Sequence, residues 1–197
     1  MIHTFPDIKV LFIKVPATGG GSFWLAMKSK NRFHDYPVTD TVLNMQDIRN
    51  KNLLTAAQAR ATVSEEIWNT YEKIGLVRHP VKWINSLYYK PLGGNHYGID
   101  ESNNGMGRVS FYEFVKNRIN KTPYDWFTDD EGNVIIDSIY RTEDLDDIVF
   151  PKYGLEQLHF NPRQKSNKFI DVVPNDEEME IIRNKFHREL RHYPDFD

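Results

Sequence analysis

Residues Ile8 to Val15 read IKVLFIKV, a β-branched and aromatic run that stops at Pro16, and three consecutive glycines, Gly19 to Gly21, follow at once. A buried strand ending in a proline and a glycine cluster reads as a strand entering a loop. Ser22 to Lys30 then carry Phe23, Leu25, Ala26 and Met27 without a breaker, which predicts a short helix. A strand, a glycine loop and a helix in that order bring backbone N–H groups to the positive end of a helix, where phosphate or sulfate fits. The loop lacks the Gly-Lys-Ser/Thr ending of nucleoside-triphosphate loops, and with it the lysine that meets the β- and γ-phosphates.

The pattern recurs. Ile74 to Val77 is a second apolar run, Arg78 ends it, and Pro80 sits where a helix starts. Val81, Ile84 and Tyr88 predict that helix's buried face, while Lys82 and Ser86, four apart, share a polar one. Val134 to Tyr140 (VIIDSIY) predicts a third strand, with Thr142 as N-cap of a following helix and Glu143 and Asp144 in its first turn. Asp176 to Leu190 predicts a last helix, with Met179, Ile182 and Phe186 on one face. Strands alternating with helices predict an α/β fold in which a three-layer, mostly parallel central sheet carries helices on both faces. Ligands on such sheets bind beyond the carboxyl ends of the strands. The stretch from Lys90 to Ser110 is too long for an ordinary connection, and Arg32 to Asn69 gives only weak signals.

A length of 197 residues at 40% hydrophobic content suits a single domain over 1–197. A formal charge of −3 gives no global basic field, so nucleic acid is not an expected partner and any anion site is local. The chain has no cysteine, which removes disulfides, thiolate metal sites and cysteine nucleophiles, and no metal is expected. The first ten residues lack a signal peptide's apolar run. No stretch approaches the roughly 20 apolar residues of a membrane span, so a soluble, cytoplasmic protein is the expectation.

The segment Phe12-Ile-Lys-Val-Pro-Ala-Thr-Gly-Gly-Gly-Ser-Phe23 resembles the 5′-phosphosulfate loop of sulfotransferases, whose pattern runs roughly Ile-Pro-Lys-Thr-Gly-Gly-Thr-Ser-Leu. At the family's catalytic lysine this chain has Ala17. Leu76 to Tyr89 (LVRHPVKWINSLYY) resembles the family's 3′-phosphate motif, Arg-Asp/Asn-Pro followed by a helix bearing serine and tyrosine. Residues 133–147 (NVIIDSIYRTEDLDD) are similar to the strand and Arg-x-Glu-x-Leu segment of the Golgi-type, carbohydrate-directed branch.

The resemblance implies a P-loop-NTPase-like sulfotransferase fold and a small-molecule nucleotide, 3′-phosphoadenosine 5′-phosphosulfate (PAPS) or its product adenosine 3′,5′-bisphosphate. It assigns Ala17, Thr18, Gly19, Gly20, Gly21, Ser22 and Phe23 to the 5′ end and Arg78 with Ser86 to the 3′-phosphate. Arg163 and Lys165 lie in a basic turn where relatives carry a loop over the nucleotide. The reaction it implies is sulfuryl transfer to a hydroxyl-bearing acceptor, with a sugar or glycan as the candidate. Lys14, three residues before Ala17, is the nearest replacement for the lysine, and Arg108 is another. His34 lies roughly where some relatives place a general base, beside Asp35, and His96 is an alternative. Two further readings stay open: a PAPS-binding protein in which Ala17 records lost catalysis, and a nucleotide kinase using ATP and Mg²⁺.

Overall fold

The computed structural model describes residues 2–29, 34–36, 54–88, 109–155 and 172–196. In chain order the strands and first helices are β1 (Ile2–Phe5), β2 (Val10–Ile13), α1 (Gly20–Ser29), β3 (His34–Tyr36), α2 (Ala56–Thr62), α3 (Glu65–Thr70) and β4 (Glu72–Val77). They are followed by α4 (Pro80–Tyr88), α5 (Phe111–Glu113), β5 (Ser138–Arg141), α6 (Phe150–Lys152) and α7 (Asp176–Lys185). The chain divides into two compact units, one formed by Met1–Val77 with Pro123–Leu158 and the other by Arg78–Thr122 with His159–Asp197.

The first unit holds a five-stranded sheet in the order β3-β1-β2-β4-β5. The α/β class is as the sequence predicts, and β2, β4 and β5 run parallel. β1 pairs antiparallel with both β2 and β3, an edge the sequence reading did not anticipate. The direction follows from the connection. Only Pro6–Ile8, a 3₁₀ turn, and Lys9, held at φ 48°, join β1 to β2, and so short a link permits only an antiparallel neighbour. β2 is buried at all four positions, as its unbroken apolar run requires of a central strand.

Helix α1 lies on this sheet through Phe23, Ala26 and Met27, which share a core with Phe5, Val10, Phe12, Ile74 and Leu76. Phe23 is fully buried, its ring centroid 4.7 Å from that of Phe12 and 5.9 Å from that of Phe5. Burying one such ring stabilises the unit by about 1.5–3 kcal/mol. Two helix starts within the weakly readable region were marked in the sequence after all. Thr55 and Gln58 form a reciprocal capping box on α2, and Ser64 accepts from Ile67 N–H at the head of α3.

The third predicted strand starts later than its apolar run. Val134 is 43% exposed and makes an isolated antiparallel bridge with Thr128, while Ile135 N–H donates to Phe127 O at 2.9 Å. These residues close a local turn, so the chain reaches β4 only at Asp137, whose N–H donates to Lys73 O at 2.8 Å, and pairs with it as a strand from Ser138 onward. Thr142 caps no helix: Arg141 occupies the N-cap position of the 3₁₀ turn Thr142–Asp144, and the Thr142 hydroxyl is used elsewhere.

In the second unit, the buried positions of α4 are Pro80, Trp83, Ile84, Asn85 and Leu87. Of the predicted stripe, Ile84 is fully buried as expected, but Val81 and Tyr88 are only half-buried, and Trp83 and Leu87 fill the rest of the buried face. The Trp83 ring meets that of Phe186 at 5.6 Å, edge-on, and Tyr88 meets Phe111 and Phe114 at 5.3 and 5.2 Å. Helix α7 opens with an Asn175–Glu178 capping box, carries acids in its first turn and bases in its last, and ends at Lys185. The rest of the predicted helix becomes a separate 3₁₀ turn, Glu189–His192. Among the described residues, no helix is long and apolar enough to cross a membrane.

Candidate anion-binding loop

The loop that leaves β2 is defined by its backbone. Ala17 has φ 59° and Gly19 has φ 76°, and Thr18 between them is not left-handed. A backbone whose φ changes sign from residue to residue in this way can turn successive N–H groups toward one side, the concave arrangement found in phosphate loops. Ala17 carries a β-carbon in this region at a cost of about 1–2 kcal/mol, which the surrounding bonds must offset.

Those bonds centre on Thr18, which is fully buried. Its hydroxyl donates to Val15 O at 3.0 Å, closing the turn on itself. Its carbonyl accepts from Thr142 Oγ1 at 2.7 Å, and the same hydroxyl lies 2.9 Å from Val77 O at the end of β4. The loop at the carboxyl end of β2 is thus fastened through Thr142, the residue after β5, to the carboxyl end of β4, its parallel neighbour, at the edge where open α/β sheets take ligands. Sequence reading missed Thr142 as a loop residue, and no local signal marks it, since its partners stand 124 and 65 positions away.

Gly19 O accepts from Ser22 N–H at 2.9 Å and Phe23 N–H at 3.2 Å and so begins α1. The N–H groups of Gly20 and Gly21 then stand in the first turn, where a helix offers no acceptor of its own. A β-carbon on Gly21 would meet nothing within 4 Å, and Gly21 and Ser22 are exposed, so this side of the turn is open. Gly20 is closed in: a β-carbon there would lie 3.1 Å from Lys14 Cγ and 3.2 Å from Phe12 Cζ. The aliphatic stem of Lys14 therefore runs alongside the start of α1. Neither a family model, nor a curated protein, nor a solved structure matches this chain.

The remaining sequence candidates fall elsewhere. The Phe23 side chain serves the core, and only its N–H takes part in the loop. His34 pairs with Thr4 on β3, two strands from β2 and level with Leu11, which sets its backbone about 10 Å sideways from β2. Register alone does not bring it to the loop. Asp35 follows it on β3. Arg78 is half-buried and follows Val77 directly in the chain, and Ser86 and Lys82 lie on α4, half-buried and exposed respectively; all three belong to the second unit. Arg163, Lys165, His96 and Arg108 lie outside the described residues.

Proposed function

We propose that this chain is a sulfotransferase of P-loop-like, three-layer architecture that moves a sulfuryl group from PAPS to a hydroxyl-bearing acceptor, with carbohydrate as the candidate class. The observation that carries the reading is the alternating backbone from Ala17 to Gly20, set at the carboxyl end of a central parallel strand and opening into α1. In the reaction the acceptor oxygen attacks sulfur and loses its proton to a base. The bond from sulfur to the 5′-phosphate oxygen breaks, and adenosine 3′,5′-bisphosphate leaves with the new charge. Positioning and electrostatic stabilisation of that oxygen supply most of the catalysis, by analogy with phosphoryl transfer.

Lys14 is our candidate cation, because its stem lies beside Gly20 at the head of α1. Arg78 and Ser86 are assigned to the 3′-phosphate by the resemblance. A second reading, a protein that binds the nucleotide without turning it over, draws on Ala17, an uncharged residue in a left-handed conformation where the family has lysine.

Calorimetric titration with adenosine 3′,5′-bisphosphate against ADP tests both readings. We expect clear preference for the bisphosphate; equal or absent binding overturns them together. Sulfuryl transfer then separates the two. As an enzyme, the chain loses about 10²–10³ in rate on Lys14→Ala and gains rate on Ala17→Lys. No turnover by the native chain or either variant over a broad acceptor panel supports the binding protein.

A further inference from the structure

We infer that Thr142 is a positioning residue of the glycine loop, its hydroxyl turning the Thr18–Gly19 peptide so that Gly19 N–H faces the bound anion. This rests on reading the loop as the seat of the 5′-phosphosulfate.

The argument starts from peptide geometry. The described chain has no cis peptide, so the Thr18 carbonyl and the Gly19 N–H point in opposite directions. Thr142 Oγ1 holds the carbonyl at 2.7 Å, which turns the N–H away from Thr142. Rotating that peptide by half a turn would aim a carbonyl oxygen where the N–H had been and repel an anion. The other branch of Thr142 packs against Gly19 itself, where a β-carbon would lie 2.7 Å from Thr142 Cγ2 and 3.0 Å from Leu145 Cδ1, so this approach of the two residues requires glycine. One hydroxyl hydrogen is shared between Thr18 O and Val77 O, at 2.7 and 2.9 Å, so the same group that orients the loop ties it to β4. Acting through the loop backbone, Thr142 needs no contact with the ligand.

The test compares Thr142→Val, which keeps the shape and removes the donor, with Thr142→Ser, which keeps the donor. Adenosine 3′,5′-bisphosphate and inorganic pyrophosphate are the probes, affinity is read by calorimetry, and the Gly19 amide is followed in ¹H–¹⁵N spectra. In the native chain both probes should shift the Gly19 amide. Thr142→Val should weaken binding about tenfold and abolish that shift, and Thr142→Ser should restore both. Native-like affinity and an intact Gly19 shift in Thr142→Val overturn the inference. Should that variant fail to fold, a Gly19 amide in the native chain that ignores a bound probe overturns it equally. If pyrophosphate moves Gly19 in a Thr142-dependent way while the bisphosphate does not bind, the inference stands and the PAPS reading falls.

Discussion

The Phe127 ring lies directly against the α-carbon of Gly75, so closely that a β-carbon on Gly75 would overlap two of its ring atoms. Phe127 is fully buried and Gly75 stands in the middle of β4, so neither can retreat without opening the sheet. Gly75→Ala should therefore destabilise the protein by about 1–3 kcal/mol despite the better strand-forming tendency of alanine. A urea titration checks this; unchanged stability would show that the ring has somewhere else to go.

Glu72, at the amino end of β4, receives Lys152 Nζ at 2.7 Å, the Ser138 hydroxyl at 2.9 Å and the Tyr153 hydroxyl at 3.1 Å. Burial pushes its carboxyl up, but the bonds from Lys152 and Ser138 outweigh that and leave it below the ordinary carboxylate value. The folded state thus favours the ionised form. Its stabilisation is complete above the unfolded carboxylate pKa and is lost as pH falls through the lower, folded one. Melting temperature should drop on acidification across that window, and Glu72→Gln should flatten the drop. An equally steep acid limb in the variant would assign the effect to other groups.

Ala17 occupies a left-handed conformation at φ 59° that costs a residue with a β-carbon but not glycine. Ala17→Gly should raise stability by about 1 kcal/mol, the relieved strain exceeding the added freedom of the unfolded chain. Thermal denaturation measures it. A loss of stability would mean that the methyl group packs more than it strains.

Asn85 is 5% exposed on α4 and uses its amide twice, donating to Val172 O and accepting from Val172 N–H, each at 3.0 Å. It pairs with that backbone as a strand neighbour would. Asn85→Ala leaves both groups of Val172 without this partner and should cost about 1–3 kcal/mol. Asn85→Asp keeps the acceptor alone and sets an ionised carboxylate against the Val172 carbonyl, so it should cost at least as much near neutral pH and less once acid protonates it. Amide exchange at Val172 reports the outcome, and unchanged protection in Asn85→Ala would refute it.

Local chemistry was sufficient for β2, α1, β4 and the start of α4, since an unbroken apolar run, a proline and a glycine triplet act within a few residues of themselves. The place of the loop between β2 and α1 was legible for the same reason, and the stem of Lys14 lies beside Gly20. Tertiary structure decided what depends on distant partners. Val134 looks like a strand residue but bridges to Thr128, so β5 begins at Ser138. The face of α4 includes Ile84, as its spacing predicts, but is completed by Trp83 and Leu87, which the spacing of Val81, Ile84 and Tyr88 does not register. Thr142 reads as a helix cap because a hydroxyl before two acids usually is one. Its hydrogen goes instead to carbonyls on two other segments, which only a finished sheet brings within 3 Å. Periodicity and turn chemistry are properties of neighbours along the chain, whereas the orientation of a peptide in a binding loop belongs to whichever strand end folds against it.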